Sequence, residues 1–113
     1  MLLNKQQIKD VDDLPSKVVH MPEWGGDIKL KTMSAKHRIE FERLNANTKT
    51  ELETIIHLIM FSCVNEDGSL MFEKEDYTFL SNKSAKSLMR LFSEAVDMST
   101  LSEKSLDKKA KNS

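Results

Sequence analysis

One cysteine, two prolines and three glycines are the whole complement, in 113 residues, of the types that staple, kink or loosen a chain. The single thiol, Cys63, excludes an intrachain disulfide, and its place in an apolar run suits a reducing compartment. An excess of charge of one sign is also missing: 17 basic residues stand against 18 acidic ones, for a net charge of -1. Interspersed charges give no broad field for phosphates or an anionic lipid surface, so neither nucleic acid nor a membrane is expected as a partner. Long hydrophobic runs are absent too. The longest, Ile55 to Val64, is broken by His57 and Ser62 and is about half of the ~20 residues a spanning helix needs. Met1-Leu2-Leu3 passes straight into Asn4-Lys5-Gln6-Gln7, which lacks the basic start and apolar core of a secretory leader. A cytosolic protein is expected.

The chemistry-bearing residues form no recognisable set. His20, His37 and His57 lie far apart, and none pairs with another His or Cys at ligand spacing. Cys63 follows His57 by six residues, which is not the i+3 or i+4 spacing that shares a helix face. Centring a calcium loop on Gly68 puts Cys63 first and Lys74 twelfth, where oxygen ligands are required. Gly25-Gly26 is too short for a phosphate loop, and Glu73 with Asp76 reads as a solvated helix start. No enzyme activity, cofactor or metal is expected.

What is present is a pattern of short elements sized for one domain. Asn4 with Gln7 has the form of a capping box, opening a short helix over about 5–10. Lys17 to Met21 reads as a strand from its valine pair. Ile28 to Lys31 alternates apolar and charged, and the Gly25-Gly26 turn between them permits a hairpin over 17–32. Ser34 is a candidate cap for a weakly amphipathic helix over about 35–45 carrying Ile39, Phe41 and Leu44. Thr48 or Thr50 starts the most apolar helix, about 50–64, which must be buried on most sides. Gly68 is placed to cap that helix, and Leu70 to Phe72 is extended. A helix over 73–80 follows. The last helix, capped by Ser81 or Asn82, covers about 83–98 with Ala85, Leu88, Met89, Phe92, Ala95 and Val96 on one face. The expected fold is α+β: an N-terminal β-hairpin packed on a mainly helical C-terminal half of about four helices. Residues 1–98 form the domain, and the polar stretch 99–113 is expected to be a disordered tail.

Two features bear on binding. Trp24, the sole tryptophan, stands between Pro22 and the glycine pair. It either folds over the open face of the hairpin or anchors a partner, and a lone hairpin needs such a cover. Met60, Met71, Met89 and Met98 fall in or near the helical half, where methionine fills cores and also serves adaptable surfaces.

The order of the pieces resembles a known family. Asn4-Lys5-Gln6-Gln7-Ile8 leads to Asp12-Asp13, then Val18-Val19, then Met21-Pro22-Glu23-Trp24-Gly25-Gly26. A second strand, Met33-Ser34-Ala35 and a charged helix with Phe41-Glu42 follow. Cys63-Val64-Asn65-Glu66-Asp67-Gly68, Met71-Phe72 and Lys83-Ser84 complete the series. Over roughly residues 3–98 this is similar to the tail assembly chaperones of long-tailed, non-contractile bacteriophages, encoded upstream of the tape measure protein.

The resemblance implies a protein that binds the tape measure protein in the host cytoplasm, keeps it soluble while tube subunits polymerise around it, and is absent from the mature virion. It implies the short form of such chaperones, with the tail tube protein met through a longer frameshifted form, and it allows self-association. A client of this kind exposes apolar helical stripes, which dock in grooves. The candidate contact residues are Trp24, Tyr77, Phe79, Leu88, Phe92 and Val96. The alternative is a small regulatory or inhibitory module docking on one folded target.

Overall fold

The computed structural model describes the backbone of residues 1–111 and the side chains of residues 1–99. Of the stretch 99–113 expected as a disordered tail, the backbone through Lys111 lies in the last helix, and residues 112–113 fall outside the described residues. Among the described residues no helix is long and apolar enough to cross a membrane.

The elements follow from local chemistry. Asn4 accepts the Gln7 N–H at 2.8 Å while the Gln7 side chain accepts the Asn4 N–H at 2.9 Å, so the capping box opens α1 (Lys5–Asp10) as expected. Strands β1 (Ser16–Met21) and β2 (Gly26–Lys31) pair antiparallel, with Val19 opposite Ile28. Their turn is a 3-10 stretch, Pro22–Trp24, closed by Gly25 at φ 81 with its N–H on the Pro22 carbonyl. That positive φ is the reason for a glycine there. Alternation places Val19, Met21 and Leu30 inward, with Val18 and His20 in solvent.

Ser34 caps α2 (Ala35–Ala46) through the His37 N–H, and Thr50 caps α3 (Glu51–Ser62) through the Glu53 N–H. Each such cap is worth about 1 kcal/mol. The apolar helix ends two residues earlier than its pattern suggests. Cys63 turns extended, and Cys63–Val64 forms β3, paired antiparallel with Leu30 and Lys29 of β2. The free edge of β2 takes these backbone groups, making a three-stranded sheet in the order β1-β2-β3. Gly68 adopts φ 91, but in the Asn65–Ser69 turn after β3 and not as a helix cap. A 3-10 turn, Lys74–Asp76, leads into α4 (Tyr77–Ser81). Ser81 closes α4, donating to the Thr78 carbonyl at 2.7 Å. The cap of α5 (Ala85–Lys111) is therefore Ser84, which accepts the Ser87 N–H.

One core joins the inner sheet face to the helices. Met21, Leu30, Ile56, Ile59, Cys63, Leu80 and Leu91 are fully buried in it. Burying an aliphatic side chain of this size contributes about 1.5–3 kcal/mol. At the outer edge of β1, Lys17 pairs with Glu94, and Arg90 donates to the His20 carbonyl at 2.9 Å and to Glu23 at 2.7 Å. These contacts tie the hairpin to α5. The α+β architecture, with four helices after the hairpin, is the expected one.

Candidate functional site

An amphipathic helix whose apolar arc is wider than its neighbours can cover leaves a strip facing water. That is the state of α5. Among its described side chains, Ser87, Leu88, Leu91 and Ala95 are buried, Phe92 and Val96 are half-buried and Met89 is 47% exposed. The pattern in sequence centres the apolar face near Phe92. The core takes an arc about a sixth of a turn away, centred on Leu88, Leu91 and Ala95. Phe92, Val96 and Met89 are the excess.

That excess forms one wall of two adjoining depressions. One, of about 230 Å³, lies between α2, α3 and α5 and includes Phe41, Leu58, Phe92 and Val96. The other, of about 300 Å³, includes Ile55, Met89 and Phe92. Both reach Thr54 and Phe92, so Phe92 is the ridge between them. Opposite it, Phe41 is set by the α2 stripe: His37, Phe41, Leu44 and Asn45 recur at i, i+4, i+7 and i+8 and are all half-buried. Ile39 points the other way and is 52% exposed, so it does not share a face with Phe41. Phe41 meets Phe61 edge-on, with ring centroids 6.1 Å apart. The Thr54 hydroxyl donates to the Asn45 side chain at 2.9 Å and holds the two helices in register.

A further groove, of about 370 Å³, lies on the other side of α2. Its floor is Leu44, Met60, Phe61, Leu70 and Phe72, and Glu40, Arg43 and Lys74 stand at its rim.

The six residues singled out from sequence separate accordingly. Phe92 and Val96 come together in the first groove. Leu88 does not join them: it is 3% exposed in the core, because the buried arc of α5 passes through it. Phe79 is exposed and lies beside Phe72, with centroids 5.9 Å apart, near the second groove. Tyr77 packs on His57 at 5.9 Å. Trp24 is half-buried against the core at the turn of the hairpin, closing it as a cover would. Phe41, Ile55 and Leu58 were not singled out, since only the pairing of α2 and α3 reveals them as groove walls. The exposed Met89 was signalled by the width of the α5 stripe.

Burial is the first influence on the titratable groups near these surfaces, and charged neighbours add to it or oppose it. Burial pushes the Cys63 thiol up to about 12, so it stays protonated. No hydrogen bond links it to a base among the described residues. Burial lowers the pKa of His57, against an opposing pull from Glu53, and burial raises that of Tyr77, with Glu53 adding to it. Desolvation works against the Glu23 carboxylate, but the hydrogen bond and charge of Arg90 hold it below its usual range. This arrangement offers apolar surface for a partner, and the buried, protonated Cys63 thiol is not poised as a nucleophile.

No family model matches the sequence, and no curated protein matches it. Among solved structures, the fold is similar to that of the bacteriophage HK97 tail assembly chaperone, with a TM-score of 0.57 and 17% sequence identity. The similarity covers 82% of this chain and 90% of that one.

Proposed function

We propose that the protein is a phage tail assembly chaperone that binds the tape measure protein in the host cytoplasm and keeps it soluble while the tail tube polymerises around it. The observation that carries this reading is the shared fold, which spans nearly the whole of the HK97 chaperone. The groove beneath Phe92 supports it independently. Two joined apolar depressions between packed helices accept the i, i+3, i+4 anchors of an amphipathic helix, and a tape measure protein presents many of these before the tube covers it. Several copies then line one elongated client. On this reading the chaperone leaves before the virion is complete, and the tail tube protein is met through a longer frameshifted form.

Co-expression with the tape measure protein, followed by purification through a tag on this chain, tests the proposal. Soluble client recovered with several copies of the chaperone is the expected result. Phe92→Asp is expected to lose the client while keeping a native circular dichroism spectrum. A client that precipitates while this chain elutes alone would overturn the reading and leave the one-to-one docking module in its place.

A further inference from the structure

The two depressions that meet at Phe92 are set in line. On α3, Glu51, Thr54, Ile55 and Leu58 line them at i, i+3, i+4 and i+7, and on α5 Met89, Phe92 and Val96 do so at i, i+3 and i+7. Both rows run the same way. Glu51 belongs with Met89 at one end, Leu58 with Val96 at the other, and Thr54 and Phe92 are shared between them. At 1.5 Å per residue the rows put the two depressions about one helical turn apart. That is the separation of i and i+4 anchors, so a single docked helix fills both.

The two ends differ in charge. At the Val96 end the charged residue of the lining is Arg38, and its guanidinium is already paired with Glu42 at 2.9 Å. At the Met89 end it is Glu51, an exposed side chain whose carboxylate has no ion pair or hydrogen bond among the described residues. Lys86, one turn before Met89 on α5, stands outside that lining. An acid in the first turn of a helix also suits its positive end, and α3 has two of them. They are used differently: Glu53 accepts the Thr50 hydroxyl at 3.2 Å, while Glu51 borders the apolar depression. One end of the groove is thus neutralised within the protein, and the other carries an unanswered negative charge.

We propose that Glu51 is a specificity-determining residue of this groove, which selects amphipathic helical segments carrying a lysine or arginine about one turn outside their paired apolar anchors. A carboxylate at that position of the client is repelled. The proposal rests on the reading of the groove as the client site and names the chemistry of the segment it takes. The apolar anchors supply adhesion to any amphipathic helix, and the charge beside them discriminates among such helices. Because Glu51 is in solvent, the discrimination is modest and falls with salt, whereas the apolar contribution does not.

Fluorescence anisotropy of labelled synthetic helices against the full chain tests it. The probes share leucine anchors at i and i+4 and differ only in the residue one turn outside them, which is Lys, Gln or Glu. It is placed at both flanks, so either direction of docking brings one copy to Glu51. The lysine probe is expected to bind the native chain about threefold or more tighter than the glutamate probe, with glutamine between. The gap should close at about 1 M salt, where charges are screened within ~3 Å. Glu51→Lys should reverse the order and Glu51→Gln should flatten it, with circular dichroism checking that both variants fold. Glu66→Lys, which alters net charge equally in the turn beyond the opposite end of α3, should keep the native order. Lysine and glutamate probes that bind equally, an order that Glu51→Lys leaves unchanged, or one that Glu66→Lys reverses as fully would overturn the proposal while leaving the groove as the client site. If no probe binds, or if Phe92→Asp binds them all as the native chain does, the groove reading falls and the proposal with it.

Discussion

Helices α2 and α3 have the same length, 12 residues, and the same kind of cap, a hydroxyl from Ser34 or Thr50. They differ in what they bury. Five residues of α3 are buried and none of α2 is. The first is the centre of the core, and the second is a cover held by one half-buried stripe. Because α2 touches the body along one line, each of its flanks is an overhang. Phe41 overhangs the groove beneath Phe92, and Leu44 overhangs the groove that the rim charges border. The comparison teaches that binding surface in a small domain arises where an element is under-buried. Such elements also open at lower free energy than the core.

Substitution gives the largest expected contrast. Ile59→Ala in α3 is expected to cost about 2–5 kcal/mol in denaturant unfolding, while Ile39→Ala in α2 stays within about 0.5 kcal/mol. Equal costs would mean that α2 is part of the core after all. Phe41→Ala should fall between them, at about 1–2 kcal/mol, since its ring is half in solvent and the Phe61 edge contact is worth about 0.5–1.5 kcal/mol of this. Removing the caps sharpens the comparison further. Ser34→Ala and Thr50→Ala should each cost about 1 kcal/mol if unfolding is global. Native-state hydrogen exchange should then show Ser34→Ala accelerating α2 amides selectively, whereas Thr50→Ala acts on the whole protein.

The smallest effect is a pH dependence confined to α3. Burial depresses the pKa of His57 below the 6.5 of the free side chain, and its Nδ1 has no hydrogen-bond partner among the described residues. The unfolded chain therefore binds this proton more readily than the folded one. The stability involved is fully present above pH 6.5 and is lost as the pH falls through the lower, folded value. His57→Gln should flatten that part of the stability–pH curve, and an unchanged curve would remove His57 as its source.

How far the sequence could be read depended on how local each cause was. The capping box at Asn4 and the hairpin alternation are set by neighbours a few residues apart, and both were legible. The end of α3 was not. Cys63 and Val64 are apolar and compatible with a helix, and what turns them into a strand is the open edge of β2, where Leu30 pairs with Cys63 and Lys29 with Val64 from far earlier in the chain. The same holds for α5. Its apolar residues were all visible, but which of them face the core depends on how the helix is rotated against α3 and the sheet. The stripe alone therefore puts Leu88 on the binding face, although it belongs to the core, and does not mark Leu91, which is buried beside it. That Phe92 and Val96 stay partly uncovered is legible, because an apolar stripe too wide for one contact is itself a signal. Their partners across the groove carry no such mark: Phe41 sits in the weakly amphipathic α2, and Leu58 in α3, which is apolar on so many sides that its pattern singles out no face.

Trp24 has an optical consequence. As the sole tryptophan, it gives the protein a single indole emission, from a residue half-buried at the hairpin turn. The adjoining Glu23 is held by Arg90 of α5, so the fluorophore sits where the sheet is fastened to the helix that bears Phe92. A blue or red shift on adding a client devoid of tryptophan would report that this fastening had changed. An unmoved spectrum with client bound would mean that the groove is filled while the hairpin and α5 stay in place.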